Sequence, residues 1–428
     1  MTSSSPQREF AVEIVRKLRA AGHTALFAGG CVRDLLLGRI PKDYDVATTA
    51  LPEQVRHLFG HKKTLPVGAS FGVIVVIGPR DIGHVEVATF RKEGPYHDGR
   101  RPSNVAFCTP EEDAQRRDFT INGMFYDPIE AQVLDFVGGE ADLAARVVRA
   151  IGDPHERVRE DKLRMLRAVR FTATLDFALS DVTANAIREM ADQLTIVSAE
   201  RIAQELKKML VDSHRRRAIE LSQDVGLLRI FLPELLADPD NQELVREESL
   251  ESTLRMLAAL QQPSFELAFA ALLHSLPARP VTYDICRRLK LSNEEADRIT
   301  WLVAHQDDLV DARVQPLSRL KRTLAHPFRD DLLSLLRVKL LATEAEVPPV
   351  LFCVEYLANT PQSVIDPVPL ISGDDLKRHG LNPGPAFKQI LETVRDAQLN
   401  LEISTFEEAI ALATKMVAVN GESEGNRH

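Results

Sequence analysis

The sequence predicts an α+β fold, with a small mixed-sheet head domain at the amino terminus followed by an all-helical remainder. Short apolar runs with the length of strands lie before residue 91, the clearest being residues 72–77 and 84–90. Two adjacent glycines separate an earlier run, residues 25–28, from a helical pattern. From Ala141 onward, apolar residues recur at helical spacing, and the main breaks contain proline.

The composition is that of a globular protein with several cores. The chain has 428 residues, of which 44% are hydrophobic and 27% are charged. It has no apolar run long enough to span a membrane and no signal-peptide-like start. Its four cysteines are scattered, without zinc-site spacing or the density of a disulfide scaffold. We therefore expect a cytoplasmic protein with no membrane association.

The charge balance neither requires nor excludes a nucleic-acid partner. The formal net charge is −9, but residues 1–217 carry 32 Lys+Arg against 30 Asp+Glu. The remainder carries 21 against 32 and is therefore acidic. Because local patches decide phosphate contacts, RNA binding is compatible with this composition without being indicated by it.

The head is predicted to begin with a helix over residues 6–21 and a strand over residues 25–28. Gly29 and Gly30 then precede a helix over residues 32–37. Glycines at a strand-to-helix turn allow a bulky group to approach the backbone, and a helix amino terminus favours phosphate. Arg33 adds a positive fork for the same anion. A solvated turn is the alternative when this stretch is taken alone.

A second strand is predicted over residues 41–46, with Asp43 and Asp45 on one of its faces. Two carboxylates directed to one point favour a hard cation, and the oxygen ligands indicate Mg²⁺ completed by phosphates and water. Glu86, in the strand over residues 84–90, is a candidate third carboxylate, with an exposed strand residue as the equal alternative. A phosphate-binding turn followed by a carboxylate pair is what nucleotidyl transfer requires.

These residues resemble a known family. Gly-Gly-x-Val-Arg-Asp followed by Asp-x-Asp is similar to the signature of the nucleotidyltransferase superfamily that includes DNA polymerase beta. More narrowly, it resembles the class II (bacterial-type) tRNA nucleotidyltransferase and poly(A) polymerase family, and most of all its CCA-adding members. The resemblance implies a polymerase-beta-like head (residues 1–145), a helical neck (146–225), body (226–350) and tail (351–420), and a disordered end (421–428).

Two further stretches of the head carry the resemblance. Residues 91–105 are charged and rich in Gly and Pro, which predicts a mobile loop similar to that of members that add the terminal A. Arg116, Arg117 and Asn122 lie in an Arg-Arg-Asp-Phe-Thr-x-Asn block that the family uses to bind nucleotide. Gly123 stands where the family usually has Ala.

The neck contains a candidate base-reading motif. Asp161, Arg164 and Arg167 are three residues apart, which predicts one face of a helix, and a salt-bridged surface stripe is the structural alternative. A carboxylate accepts from the amine of C or A, whereas an arginine donates to the ring; U and G reverse both contacts. Glu-Asp-x-x-Arg, matched at Glu160, is the family's nucleobase-reading motif. The resemblance also assigns nucleotide contacts to Arg167 and Arg170, and a structural role to residues 197–210.

The second half offers weaker signals. His274 and His305 suggest the remnant of a metal phosphohydrolase motif, but Ser275 replaces the required Asp, and we interpret both as ordinary helix residues. Residues 371–385 resemble the family's tRNA-binding tail segment. Taken alone, these residues are explained better by a plain helix–turn–helix connection.

The predicted function is template-independent addition of CCA to the 3′ end of tRNA from CTP and ATP, with pyrophosphate release. Asp43, Asp45 and Glu86 are the catalytic candidates, with Asp43 and Asp45 as ligands of Mg²⁺. No obligate protein partner is predicted. Three alternatives stay open: an A-adding enzyme paired with a separate CC-adding enzyme, a poly(A) polymerase, and an RNA-binding protein with a silent site. The acidic second half argues against the poly(A) polymerase, and the intact carboxylates argue against the silent site.

Overall fold

The fold was analysed in a computed structural model, which describes residues 5–68, 72–93, 105–236, 243–380 and 386–425. The chain forms two compact units, Met1–Ala237 and Asp238–His428. The first contains a mixed sheet and helices, and the second is helical throughout its described residues. The predicted α+β class is therefore confirmed. The finer division into head, neck, body and tail stays a prediction.

All the described strands lie in the N-terminal unit. In chain order they are β1 (Ala25–Ala28), β2 (Asp45–Thr48), β3 (Thr64–Gly68), β4 (Val73–Ile77), β5 (His84–Thr89), β6 (Arg91–Glu93), β7 (Val105–Phe107), β8 (Phe125–Asp127), β9 (Gln132–Leu134), β10 (Val147–Val148) and β11 (Ala178–Leu179). Seven of them form one sheet in the order β3-β4-β5-β2-β1-β8-β9. Strands β1 and β2 are antiparallel, whereas β2 and β5 are parallel.

The helices of this unit follow the predicted pattern with shifted ends. They are α1 (Pro6–Ala20), α2 (Gly30–Leu36), α3 (Pro52–Phe59), α4 (Pro110–Gln115), α5 (Gly139–Ala145), α6 (Pro154–Glu160), α7 (Arg164–Leu175), α8 (Asp181–Met190), α9 (Ala199–Leu210), α10 (Arg215–Asp224) and α11 (Leu228–Phe231). The Ser5 hydroxyl caps α1 by accepting from the N–H of Arg8, and the apolar stripe that includes Ile14 and Leu18 is fully buried.

Two predictions for this unit need correction. The region after Ala141 is not purely helical, because β10 and β11 form a short parallel pair. The predicted loop over residues 91–105 is ordered at both ends, where β6 and β7 pair antiparallel from Arg91 opposite Phe107 to Glu93 opposite Val105. A ladder of three residue pairs is too short to show in hydrophobic alternation. Residues 94–104 lie outside the described residues.

The second unit consists of helices α12 (Glu243–Ala259), α13 (Phe265–Leu272), α14 (Tyr283–Arg288), α15 (Asn293–His305), α16 (Leu317–Ala325), α17 (Arg329–Ala342), α18 (Pro348–Asn359), α19 (Gln362–Ile365), α20 (Gly373–Arg378), α21 (Ala386–Leu399) and α22 (Phe406–Gly425). A cluster that includes Leu376, Ile390 and Ala409 joins the last three. No helix in the described ranges is long and apolar enough to cross a membrane.

Three predictions fall at the edges of these helices. Helix α22 extends through Gly425, into the end predicted to be disordered; residues 426–428 lie outside the described part. His274 is in the turn after α13, not in a helix, while His305 ends α15 beside Asp308. In the segment resembling a tRNA-binding tail, Ser372 caps α20, and residues 381–385 are again outside the described ranges.

Candidate active site

The turn between β1 and α2 is built around Gly29. Its φ of +73° lies in the region that favours glycine, and α2 begins at the next residue. A Cβ on Gly29 would lie 3.3 Å from Nη1 of Arg117 and 4.0 Å from Oδ2 of Asp45. A Cβ on Gly30 would lie 3.6 Å from Nη2 of Arg33. The glycines therefore let a guanidinium and a carboxylate approach the same stretch of backbone.

The three candidate carboxylates lie on, or directly before, two neighbouring strands of the sheet. Asp45 is the first residue of β2, and its register partner on the parallel strand β5 is Glu86. Directly paired residues on neighbouring strands direct their side chains to the same face. Asp43 lies in the bend that precedes β2, so the prediction that it belongs to the strand is wrong. The charges of Asp43 and Glu86 nevertheless both act on Asp45.

The effect of these charges is seen in the pKa of Asp45. Partial burial and the negative charge of Glu86 raise this pKa to about 6, Asp43 adds to the rise, and Arg117 opposes it. The negative charges of these side chains are thus only partly compensated by Arg117, and such a group suits a divalent cation. Among the residues that the structure describes, no set of three or more side chains is already arranged to hold a metal ion. Mg²⁺ commonly binds one or two carboxylates and completes its shell with phosphate and water, so the group still fits.

Arg116 and Arg117 are anchored by a residue that the sequence analysis missed. Asp113 is 1% exposed, and its two oxygens separately bind the two arginines, with Nη2 at 2.7 Å for Arg116 and 2.9 Å for Arg117. Burial alone would raise the pKa of Asp113, but the two guanidiniums hold it below its usual range. Asp113 is three residues before Arg116 and four before Arg117, and these helical spacings could have predicted the two ion pairs from the sequence.

Arg33 and Asn122 are joined through a chain of contacts that reaches the neck. Nη1 of Arg33 donates to Oδ1 of Asn122 at 2.8 Å, and Nδ2 of Asn122 donates to Asp118 at 3.2 Å. The other oxygen of Asp118 accepts from Nε of Arg167 at 2.9 Å. Burial would raise the pKa of Asp118, but the charge and hydrogen bonds of Arg167 and the Asn122 contact lower it to about 2. Asp118 therefore stays ionised inside the core.

The predicted base-reading pair is arranged differently from the prediction. Asp161 is not on a helix with Arg164; it ends α6 with extended backbone, at φ −143° and ψ 106°. Its carboxylate accepts the N–H of Leu163 at 3.1 Å, which stabilises the turn into α7 and explains the break. Arg201 of α9 binds both of its oxygens, at 3.1 and 2.7 Å.

Arg164 has its own partners within the described residues. It pairs with Glu160 and donates to the carbonyls of Arg157 and Arg116, each at 3.0 Å. The last of these bonds links the neck to the Arg116 loop. The i,i+3 ion pairs of the surface stripe considered from the sequence are not formed by Asp161 and Arg164 among the described residues, because both contact other groups. Their reading of the base stays a prediction.

Helix α9 supplies a second anchor besides Arg201. Glu205 is 3% exposed and accepts from Nε of Arg170 at 2.5 Å. Burial would raise the pKa of Glu205, and the charge of Arg170 lowers it. The sequence pattern placed Arg201 and Glu205 on one helix but did not show which arginine or aspartate each would contact.

The arrangement combines a glycine turn, an anionic group and converging guanidiniums in one unit. The anionic group suits a cation, and the guanidiniums suit the charge of phosphates. The sequence-predicted residues of the head and the first turns of α7 are thus brought into one connected set. Their individual roles stay predictions.

Comparison with known proteins identifies related sequences over the same regions. A family model described as "Poly A polymerase head domain" matches residues 25–149, and one described as "Probable RNA and SrmB- binding site of polymerase A" matches residues 176–238. A CCA-adding enzyme of Geobacillus kaustophilus is 38% identical over 71% of this chain and 72% of its own length. One from Lactococcus lactis subsp. cremoris is 33% identical over 94% of both chains.

Solved structures extend the likeness to the whole fold. The crystal structure of a Bacillus stearothermophilus CCA-adding enzyme in complex with CTP superposes with a TM-score of 0.78 at 30% identity. The match covers 98% of this chain and 100% of that one. It therefore includes both compact units, not only the head.

Proposed function

The chain belongs to the class II tRNA nucleotidyltransferase family of CCA-adding enzymes, and we propose that its N-terminal unit adds CCA to the 3′ end of tRNA. The observation that carries the proposal is that Asp45, the register partner of Glu86, places its Oδ2 atom 4.0 Å from the position that a Cβ on Gly29 would take. An anionic group beside a phosphate-binding turn suits transfer of a nucleotidyl group.

The reaction is an attack of the tRNA 3′-hydroxyl on the α-phosphate of CTP or ATP. A new phosphodiester bond forms, the bond between the α- and β-phosphates breaks, and pyrophosphate leaves with its electron pair. The proton of the 3′-hydroxyl is released to water as the new bond forms. Gly29, Gly30 and Arg33 bind the phosphates in this proposal, and Arg116, Arg117 and Asn122 position the nucleotide.

Asp43 and Asp45 would hold Mg²⁺, with Glu86 adjacent to them. When bound, the ions activate the hydroxyl and neutralise charge on the triphosphate. The chain's own contribution is to fix the carboxylates at one edge of the sheet and to keep Arg117 next to them. Asp113 binds Nη2 of Arg117 and so orients its guanidinium, whose Nη1 atom reaches the glycine turn. Arg117 therefore lies beside Asp45 but does not depend on Asp45 for its counter-charge.

Selection of C and A is proposed to depend on Asp161 and Arg164. A carboxylate offers about four lone-pair sites, and Arg201 together with the Leu163 N–H occupies three of them. Within the described residues, this leaves one lone-pair site on Oδ2 to accept from the amine of C or A. Arg201 acts as a positioning residue, since it fixes the plane of the Asp161 carboxylate. U and G present a carbonyl at that point and are rejected.

The finer parts of the proposal concern A addition and cellular location. Residues 91–105 resemble the loop of members that add A, and β6 and β7 fix the two ends of that segment on one ladder. We therefore favour complete CCA addition over CC addition alone. The protein is proposed to act in the cytoplasm, on tRNA, with Mg²⁺ as its metal.

The test is incubation of the protein and Mg²⁺ with tRNA that lacks its 3′ CCA and, in parallel, with tRNA that ends in CC. CTP alone, ATP alone and both together are supplied, and the products are resolved to one nucleotide. Addition of two C and then one A, followed by arrest, is the expected result. A single A added only to tRNA ending in CC would identify an A-adding partner enzyme, and a long A tail would identify a poly(A) polymerase. No addition under any condition would overturn the proposal in favour of a silent RNA-binding protein.

A further inference from the structure

One aromatic ring lies among three of the arginines assigned to nucleotide binding. The Cζ atom of Arg170 is 4.0 Å from the ring centroid of Phe171, and those of Arg33 and Arg167 are each 5.3 Å from it. Phe171 itself is 8% exposed. Guanidiniums at these distances are attracted by the electron density of the ring, more strongly when water is excluded.

The arginines come from two parts of the unit. Arg33 belongs to α2, directly after the glycine turn, whereas Arg167 and Arg170 are one turn apart on α7. Phe171 therefore contacts the residue proposed to bind phosphate and two residues near the base-reading turn. Its outer edge packs at 5.8 Å, edge to face, against Phe119, which follows the Asp118 anchor.

Like charges brought this close require compensation. Each guanidinium has one acidic partner: Arg33 pairs with Asp34, Arg167 with Asp118, and Arg170 with Glu205. Three carboxylates fix the outer ends of the arginines, and the ring occupies the space between them. A ring provides attraction without accepting a full hydrogen bond, so N–H groups remain able to turn toward phosphate.

We propose that Phe171 is a positioning residue that holds Arg33, Arg167 and Arg170 in a common orientation for the nucleotide. This inference deepens the proposed function and rests on it. Loss of the ring leaves every arginine and its ion pair with a carboxylate in place but removes the surface that the three guanidiniums share, so their common orientation is lost. Binding of nucleotide weakens equally in the ground and transition states, so KM changes more than kcat.

The experiment replaces Phe171 by a series of fluorinated phenylalanines. Fluorination withdraws electron density from the ring face and weakens cation attraction with little change in size. KM for CTP and for ATP is expected to rise along the series from one to three fluorines, with kcat nearly constant. Phe171→Leu is expected to raise KM about tenfold over the wild type. Phe171→Tyr, which keeps the ring, is expected to have a KM close to that of the wild type. Rejection of UTP and GTP should not change, because Asp161 and Arg201 are untouched.

Phe177 provides the matched control. It is 1% exposed in the same unit, and its guanidinium contact, at 5.8 Å, is with Arg146, outside the proposed site. Fluorination of Phe177, or Phe177→Leu, should leave KM unchanged. An unchanged KM along the Phe171 series, or an equal rise in the Phe177 series, would overturn the inference.

A second measurement separates this inference from the proposed function. The urea midpoint of unfolding should fall with fluorination at Phe171 more than at Phe177, whether or not the protein adds nucleotides. If the wild type adds no nucleotide while this difference is observed, the ring contacts stand and the proposed function fails. If CCA is added but neither KM nor the midpoint responds, the role of Phe171 fails alone.

Discussion

Asp45 and Asp118 are two shielded aspartates of the same unit whose surroundings act in opposite directions. Burial and the neighbouring Glu86 raise the pKa of Asp45 to about 6. Arg167 and Asn122 overcome burial at Asp118 and lower its pKa to about 2. The fold thus compensates the charge of Asp118 fully, whereas Arg117 compensates that of Asp45 only in part. The difference separates a carboxylate that stabilises the structure from one that is available to a ligand.

The comparison predicts opposite effects for the same chemical change at the two positions. Asp45→Asn removes a charge from an anionic group, so stability should not fall and transfer should decrease about 10²-fold or more. Asp43→Ala should act in the same direction. Nucleotide incorporation into tRNA and urea unfolding are measured on the same preparations, and tRNA binding serves as the control. Activity above a few per cent in either variant would contradict the assignment of these aspartates.

Asp118→Asn should have the largest effect on folding. It leaves Arg167 without its buried partner, which is expected to lower the free energy of unfolding by about 3 kcal/mol. Urea denaturation measures this change. Asp192→Asn breaks a surface ion pair in which the side chain of Arg229 is 57% exposed and that of Asp192 is 82% exposed. This change should have no measurable effect on the free energy of unfolding.

The low pKa of Asp118 also predicts a pH dependence. A carboxyl whose pKa is lower in the folded than in the unfolded state adds stability above the unfolded value and loses it as pH falls. For Asp118 this loss runs from about pH 4 to the folded value of about 2 and amounts to about 2–3 kcal/mol. The unfolding free energy of Asp118→Asn should therefore fall less than that of the wild type over this window. Parallel curves would exclude a contribution from Asp118.

Removal of the base-reading carboxylate should change specificity more than stability. Asp161→Ala is expected to reduce discrimination against UTP and GTP at least about tenfold and to slow addition. Arg201→Gln should act in the same direction but more weakly, because it releases the carboxylate without removing it. Misincorporation is measured with each nucleotide alone, and Arg159→Ala, on the exposed side of α6, is the control. Unchanged rejection in Asp161→Ala would favour a purely structural pairing with Arg201.

Glu86 should show the smallest effect of the three carboxylates. Glu86→Gln retains the size of the side chain and removes one neighbour of Asp45, so activity should fall roughly threefold to tenfold without loss of stability. Incorporation rates over a range of Mg²⁺ concentrations measure it. A loss as large as that of Asp45→Asn would make Glu86 a ligand equal to the aspartates.

The sequence predicted the elements that depend on local pattern. The strands around Ile74 and Val87, the glycine turn and the stripe of α1 follow from apolar periodicity and from glycine. Motif resemblance located Asp45, Arg117 and Asp161. Glu86 was a candidate third carboxylate, but its register pairing with Asp45 could not be predicted, because register between distant strands depends on the whole sheet.

Local sequence patterns also could not predict which carboxylates the arginines pair with. Arg201 is 40 residues from Asp161, and Asp118 is 49 residues from Arg167. Spacing along a helix predicted i,i+3 contacts for Asp161 that its position in a turn does not allow. Long-range ion pairs are decided by packing between elements, and a single sequence does not encode that in any short window.

The most direct test of the account is binding of a divalent cation at the uncompensated carboxylates. Mn²⁺ is titrated in the presence of CTP into the wild type, Asp45→Asn and Asp118→Asn, and free Mn²⁺ is followed by electron paramagnetic resonance. Asp45→Asn is expected to bind Mn²⁺ at least about tenfold more weakly than the wild type, whereas Asp118→Asn retains its affinity. Equal affinity of Asp45→Asn and the wild type would contradict it.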